Sequence, residues 1–275
     1  MDGRRLSLRK TVRMLVFPQL ASGSAAMYPL LRKNLTRTVV NVLSDGSAVV
    51  FADPDAASRE WELRPTGLTL EEATAIETLF DAASGGLRTF TFLDPAGNLL
   101  LRSEEFDAET WDNGPLISLT AGVADPLRTV RATRAINTGS AAGSVAQTLA
   151  IPGSFKYVMS VWAKTTGGSS VSLFATTAGG STTKNFTLSS EWKRISLRIE
   201  LGQNTESVTF GAELEPGASV DLFGMQLEAA PGVSDYKQTA AEAGVYAKAR
   251  FAGDELSVTA RGTDMFDMVM RIVAS

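Results

Sequence analysis

Hydrophobic and polar positions alternate along most of the chain, which is typical of β-strands whose two faces meet different surroundings. The central alternating segments are separated by Gly- and Pro-containing turns at nearly regular spacing. They are "SVAQTLAI" (144–151), "KYVMSVWAK" (156–164), "SVSLFATT" (170–177), "KNFTLS" (184–189), "KRISLRIEL" (193–201), "ESVTFGAEL" (206–214) and "SVDLFGMQL" (219–227). About eight strands at this rhythm predict an antiparallel jelly-roll β-sandwich.

One segment has helical periodicity instead. Thr69 is followed three residues later by Glu72, the pattern of a capping box, and Gly85 with Gly86 ends the periodic run. The apolar residues that recur at helical spacing are Ala73, Ile76, Leu79, Phe80 and Ala83. The sequence therefore predicts one amphipathic helix over residues 70–83 with a face that lies on a sheet.

Further strands flank this helix. Residues 36–43 and 47–51 are β-rich and are joined at Asp45-Gly46, which predicts a hairpin. "REWELRP" (59–65) reads as a half-buried strand, and "DPAG" (94–97) as a type I turn between two further strands.

The two ends of the chain complement each other. The strands before residue 100 leave sheet edges without a partner, and the three strand candidates after residue 240 are too few to fold alone. We therefore predict a discontinuous β-barrel domain from residues 1–99 and 241–275, with one flanking α-helix. Residues 100–240 are predicted to be an inserted antiparallel jelly-roll β-sandwich, so the fold class is mainly β.

The composition excludes several functions. The 275-residue chain has a net charge of −4 and a sequence pI of about 5.1, which disfavours nucleic acid as a partner. It contains no cysteine and no histidine, so thiolate chemistry, disulfides and a Ser-His-Asp triad are excluded. A glycosidase would need two facing carboxylates, and Glu213, Glu215, Asp221 and Glu228 qualify only by charge. We predict no enzyme and no cofactor.

The N-terminus is basic. It contains Arg4, Arg5, Arg9, Lys10 and Arg13, and the apolar run that follows ends at Pro18. That run is shorter than a signal-peptide core of about 7–15 residues, and no stretch approaches the roughly 18 apolar residues of a membrane span. We expect no membrane insertion; the basic arm either binds a neighbouring subunit or stays in solvent.

Two sets of motifs resemble known families. "YPL" (28–30), "RTVVN" (37–41), "WEL" (61–63), "FTFLDPAGNLL" (90–100) and the closing "ARFAGDELSVTA" resemble the distal tail (hub) proteins of phage and prophage tail tips. "LLRSEEFDAETW" (100–111), "YVMSVWAK", "EWKRISL" and the ending "GMQLEAAPGVSDYKQT" resemble carbohydrate-binding-like jelly rolls carried by phage tail proteins.

The hub resemblance implies a ring, usually a hexamer, that joins the tail tube to the adsorption apparatus. Its partners would be copies of itself, the tail tube protein and other tail-tip proteins. The protein would be assembled in the bacterial host cytoplasm and located in the virion, at the tail tip. The jelly roll would be displayed outward, where it could contact host-surface polysaccharide. The alternative is a free carbohydrate-binding module or adhesin without a role in tail assembly.

Sugar binding commonly uses an aromatic ring flanked by hydrogen-bonding groups, which makes Trp162, Trp192, Tyr157 and Trp111 candidates. Alternation along 156–164 places Tyr157 on one strand face and Trp162 on the other, polar face. The alternative for Trp162 and Trp192 is a place in the core or in a subunit interface.

Acidic residues crowd the start of the predicted sandwich: Glu104, Glu105, Asp107, Glu109 and Asp112. They suit either a structural calcium ion, which takes six to eight oxygen ligands, or a solvated loop. Because their spacing is irregular, no metal is predicted.

Overall fold

The computed structural model describes residues 14–274, so the predicted basic arm at residues 4–13 lies outside the described residues. In order, the described elements are β1 (Leu31–Val42), β2 (Ala48–Leu63), α1 (Leu70–Ala83), β3 (Phe90–Leu93), β4 (Asp112–Asn113), β5 (Ile117–Val123), β6 (Ala132–Asn137), β7 (Gly143–Leu149), β8 (Lys156–Lys164), β9 (Ser170–Thr177), β10 (Gly180–Thr187), β11 (Lys193–Glu200), β12 (Val208–Leu214), β13 (Ser219–Glu228), β14 (Val245–Phe251), β15 (Ser257–Gly262) and β16 (Met265–Ala274). The mainly β fold class is confirmed.

The first and last parts of the chain share one sheet. Its strand order is β1-β2-β16-β14-β3, and β15 pairs with β16. Because β16 pairs with β2 and β14 pairs with β3, the C-terminal strands complete a sheet that the N-terminal strands begin. A separate hydrophobic cluster, which includes Trp61, Phe92 and Ile272, fills the space between this sheet and α1.

The central part of the chain forms two antiparallel five-stranded sheets, β10-β9-β12-β7-β4 and β11-β8-β13-β6-β5. Their inner faces pack on each other through a second hydrophobic cluster that includes Leu173, Phe210 and Met159. This is a jelly-roll-like sandwich of two packed layers. The exact division of the chain into two domains stays a prediction, and a test of it opens the Discussion.

The predicted helix is confirmed at both ends. Thr69 Oγ1 accepts a hydrogen bond from the Glu72 backbone N–H, and the Glu72 carboxylate accepts one from the Thr69 N–H. These two bonds satisfy two of the free donors at the helix N-terminus. Ser84, in the left-handed conformation with φ of 55°, ends the helix just before Gly85.

The predicted hairpin is present but longer than the sequence indicates. β2 runs without a break to Leu63, so "REWELRP" is the end of this strand and not a separate one. Both halves of the strand pair with β1, and Arg59–Glu62 also pairs with β16 on the other side. Trp61 thereby lies in the middle of a sheet, where its side chain is buried.

Two side chains connect the sheet of the chain ends to the sandwich. Asn98, which is 1% exposed, donates from Nδ2 to the carbonyls of Met225 (3.0 Å) and Lys237 (3.2 Å). Its Oδ1 accepts from the backbone N–H of Leu100 (3.1 Å) and of Leu227 (3.0 Å). Gln19 pairs in the same way with both backbone groups of Lys156. The Asn98 contacts tie the two parts together because they satisfy buried backbone groups, whereas the Gln19 hydrogen bonds are exposed.

Candidate functional site

The outer face of the β10-β9-β12-β7-β4 sheet is almost entirely polar. Along β9, Val171, Leu173 and Ala175 point into the core, so the alternate residues point outward. Strand register places one set of residues on this surface, which we call the polar face: Asp112, Ser144, Ala146, Thr148, Ser172, Phe174, Thr176, Ser181, Thr183, Asn185, Thr209, Gly211 and Glu213.

Phe174 is the one aromatic residue of the polar face, and it lies near its centre. It pairs with Gly211, which in turn pairs with Ala146. A Cβ atom added to Gly211 would come within 2.9 Å of Phe174 Cε1 and 2.6 Å of the Val145 carbonyl oxygen. The Phe174 ring therefore packs directly over Gly211, where only glycine fits, and the ring stays partly exposed.

Hydrogen-bonding groups surround this ring on neighbouring strands. Asn185 Nδ2 donates to Ser172 Oγ (3.1 Å), and the hydroxyls of Thr148 and Thr209 are 2.8 Å apart. Within residues 14–274, the carboxylate of Glu213 has no hydrogen bond or ion pair. The face thus offers amide, hydroxyl and carboxylate groups beside one apolar ring, the set that a sugar with many hydroxyls requires.

Two of the four predicted aromatic residues are core residues, which corrects the expectation for them. Tyr157 is 2% exposed, and its hydroxyl donates to the Pro152 carbonyl at 2.7 Å. Burial raises the pKa of Tyr157 well above its usual value. Trp111 is 4% exposed, and its Nε1 donates to the Arg102 carbonyl at 3.1 Å. Neither ring has a free face, because each packs between the two sheets.

Trp162 points away from the core, as alternation predicts, and is partly exposed, but other side chains pack on its ring. The Arg194 guanidinium lies 4.5 Å from its ring centre, and the Tyr236 ring meets it edge-on at 5.3 Å. Arg194 is held in place by a 2.7 Å hydrogen bond to the Ser234 carbonyl, and burial lowers its pKa. The chain segment 231–240 therefore occupies part of the surface that a sugar would need at Trp162.

Residues of the motif Gln226 to Thr239 make the hydrogen bonds that hold this segment in place. Gln226 Oε1 accepts from the Lys237 N–H at 2.7 Å, and Thr239 Oγ1 donates to the Leu100 carbonyl at 2.6 Å. Tyr236 lies over Gly224, whose φ is 61° and where an added Cβ would be 2.9 Å from the ring. Through these contacts the segment packs on the outer face of the β11-β8-β13-β6-β5 sheet.

Trp192 is partly exposed and lies beside a cluster of charges on the second sheet. The Lys164 ammonium is 4.9 Å from its ring centre. The neighbouring Asp221, 2% exposed, accepts from Arg134 at 2.7 Å, and this hydrogen bond raises the pKa of Arg134. Of the four predicted aromatic residues, Trp192 keeps partial exposure without an aromatic ring packed on it in the described part of the chain.

The acidic residues do not converge on one site. Asp221 and Glu228 are buried with basic partners on the second sheet, whereas Glu213 is on the polar face of the first. Glu104 is also buried, which raises its pKa, and it accepts hydrogen bonds from Arg131 and Tyr236. Among the side chains that the structure describes, residues 14–53 and 56–274, no three acidic groups are gathered as metal ligands.

Sequence reasoning missed Phe174, Gly211, Asn185 and Glu213 as members of one surface. Alternation in "SVSLFATT" and "ESVTFGAEL" could have placed Phe174 and Glu213 on outward faces. The order of strands, which brings them side by side, requires long-range pairing. No helix in the described residues is long and apolar enough to span a membrane.

Comparisons with known proteins do not identify the chain. No protein-family model and no curated protein sequence matches it. The enzymatically active domain of bacteriophage CBA120 tailspike protein 4 is 14% identical with a TM-score of 0.40; the match covers 50% of this chain and 22% of that one.

Carbohydrate-binding modules are among the matches. The C-terminal family 22 module of Clostridium thermocellum Xyn10B is 14% identical with a TM-score of 0.39, over 52% of this chain and 99% of the module. TmCBM61, solved with β-1,4-galactotriose, is 14% identical with a TM-score of 0.37, over 47% of this chain and 97% of the module. Similarities this low carry no functional information, so the proposals below depend on the residues themselves.

Proposed function

We propose that this protein is a structural component of a phage or phage-like tail tip that binds glycan through the polar face of its sandwich. It acts by assembly and by binding, without catalysis. The polar face is the single observation that carries glycan binding. The tail-tip role is supported by the motif resemblance at both chain ends and by the surface of the β1-β2 hairpin.

Glycan recognition follows from what the polar face presents. A partly exposed Phe174 can cover the apolar side of a sugar ring, while Asn185, Glu213 and the surrounding hydroxyls can bond its hydroxyl groups. Unpaired carboxylates at Glu213 and Asp112 favour a neutral glycan over an acidic one, because like charges repel. Trp192 on the opposite sheet is the remaining aromatic candidate for a second contact.

Replacing Phe174 with Ala is expected to weaken binding of the recognised polysaccharide at least tenfold, about 1.4 kcal/mol. The substitution removes the apolar platform and leaves the core unchanged, since Phe174 points outward. Binding would be measured by glycan array and then by calorimetry on the polysaccharide that binds best. Trp192→Ala is the comparison variant: if it abolishes binding while Phe174→Ala does not, the site is on the second sheet and the proposal for the polar face is wrong.

The β1-β2 hairpin supports assembly because it exposes apolar side chains on both of its faces. Val40 pairs with Val50 on one face and they are 55% and 61% exposed; Val39 pairs with Phe51, 51% exposed, on the other. Along residues 48–58, β2 has β1 as its only partner strand within the described residues, and the outer edge of β1 is also open. A two-stranded ribbon with this much exposed apolar surface is marginal in water.

We propose that copies of this chain cover the hairpin. A single partner could fill one edge, whereas identical copies in a closed ring fill both edges of every hairpin at once. The preferred assembly is a hexamer that contacts the tail tube protein and other tail-tip proteins. The location would be the virion tail tip, after assembly in the host cytoplasm.

Val50→Lys is expected to raise the concentration needed for assembly at least tenfold, because it places a charge in a desolvated interface. Light scattering across a range of concentrations would measure the mass of the oligomer. Val130→Lys, which changes an exposed valine in a sandwich loop, should leave that mass unchanged. A protein that stays monomeric at every concentration and with tail proteins added would favour the alternative, a free carbohydrate-binding module or adhesin.

A further inference from the structure

A cavity of about 580 Å³ lies between the sandwich and the base of the hairpin. Both parts of the chain line it: Leu35 and Arg59 come from the hairpin, Thr148 and Ala150 from β7, and Glu242 and Tyr246 from the returning chain. A volume in this range and a position at a junction between structural units are usual for small-molecule sites.

The walls of the cavity combine apolar surface with a few polar groups. Leucines and alanines make up much of the lining, and Tyr246 contributes a phenol ring. Arg59 donates one hydrogen bond to the Tyr246 hydroxyl and another to the Glu242 carboxylate at 2.8 Å. Because this pair neutralises the charge of Arg59, the cavity suits an uncharged ligand with hydroxyl groups. Burial raises the pKa of Tyr246, so its hydroxyl remains protonated.

The cavity continues from the polar face. Thr148 belongs to both, since its hydroxyl contacts Thr209 on the face and its side of β7 lines the cavity. β4 pairs with β7 only at Val145 and Ala146, so the edge of β7 beyond Thr148 is open toward the cavity. Thr148 lies two strands and two residues away from Phe174. The strand spacing and the rise per residue put the two residues about 12 Å apart. A short oligosaccharide can span that distance.

We infer that the cavity binds the end of the same neutral oligosaccharide whose middle residues lie on the polar face. This inference depends on the proposed glycan function and adds to it a second subsite, built from both parts of the chain. Short fragments would reach only the polar face, whereas longer ones would also enter the cavity. Affinity should therefore rise with the length of the oligosaccharide.

The test uses the full chain and size-graded fragments of the polysaccharide that binds best on an array of bacterial surface glycans. Calorimetry on the unmodified protein should give at least tenfold tighter binding for fragments long enough to reach the cavity. Ala150→Trp fills the cavity from an exposed position and should remove that gain without changing the affinity for short fragments. Ala142→Trp, at the opposite end of β7 and also exposed, is the matched control and should change neither.

Hydrogen exchange on the unmodified protein provides a second measurement that does not depend on how Ala150→Trp folds. Long fragments should protect residues 148–150 and 241–246 more than short ones do. Equal affinity for all lengths with no added protection would overturn the second subsite while the polar face stands. If no glycan of the array binds, both the proposed function and this inference are wrong.

Discussion

Replacing Trp61 with Ala is expected to lower the free energy of unfolding by about 3–5 kcal/mol. Trp61 is fully buried at the centre of the sheet formed by the chain ends. Its ring lies 5.0 Å from that of Phe92 and 4.7 Å from that of Tyr246, so its loss leaves a cavity between β2, β3 and β14. A packed sheet cannot close such a cavity without moving its strands.

Urea unfolding followed by circular dichroism would measure this effect, with Trp61→Phe as the matched control. Phe keeps most of the ring and removes an indole N–H that has no hydrogen-bond partner in the described part of the chain, so its effect should be much smaller. If the chain ends form a separate domain, Trp61→Ala should weaken one unfolding transition and leave that of the sandwich in place. A single transition that shifts as a whole would contradict the predicted division at residues 99–100 and 240–241.

Asn98→Ala is expected to cost about 2–4 kcal/mol, because it leaves buried backbone groups without partners. The side chain satisfies two carbonyls and two N–H groups, three of which belong to Met225, Leu227 and Lys237. Alanine supplies no donor or acceptor, and water has no access to a position that is 1% exposed. The change should therefore loosen the sandwich and the sheet of the chain ends together.

Thermal unfolding and hydrogen exchange would detect this result. The N–H groups of Leu100 and Leu227 should lose protection first, since each donates to Asn98 Oδ1. Asn41→Ala, at an exposed position of the hairpin, is the control and should change stability by less than about 0.5 kcal/mol. If Asn98→Ala proved as mild as its control, Asn98 would not fix the position of the sandwich.

The junction at Asn98 bears on function because the proposed glycan site uses both parts of the chain. The polar face belongs to the sandwich, whereas Arg59 and Tyr246 of the cavity belong to the sheet of the chain ends. A rigid junction keeps the two subsites at a constant separation, so the protein loses less conformational entropy when the oligosaccharide binds. The hairpin begins beside the same cavity, which places the proposed assembly surface next to the glycan site.

Local patterns predicted much of the secondary structure correctly. The capping box at Thr69 and the apolar spacing from Ala73 to Ala83 are short-range signals, so α1 has the predicted bounds. The strands β8 and β9 also have the bounds that alternation predicts. The joining of residues 47–51 and 59–65 into one strand was missed, because β2 continues between them through pairing of Ala52, Asp53 and Ser58 with β1, which the alternation of either short segment does not show.

The sequence by itself determined the mainly β fold class, the single helix among the described elements, and the exclusion of cysteine and histidine chemistry. Only the tertiary structure decided which outward residues are free. Alternation separates the two faces of a strand but cannot say what covers each face. Trp162 and Phe174 both point outward and are both partly exposed, but Arg194 and Tyr236 pack on Trp162, whereas Phe174 has no ring or cation packed on it among the described residues. That difference comes from contacts between distant segments, which periodicity along one strand does not contain.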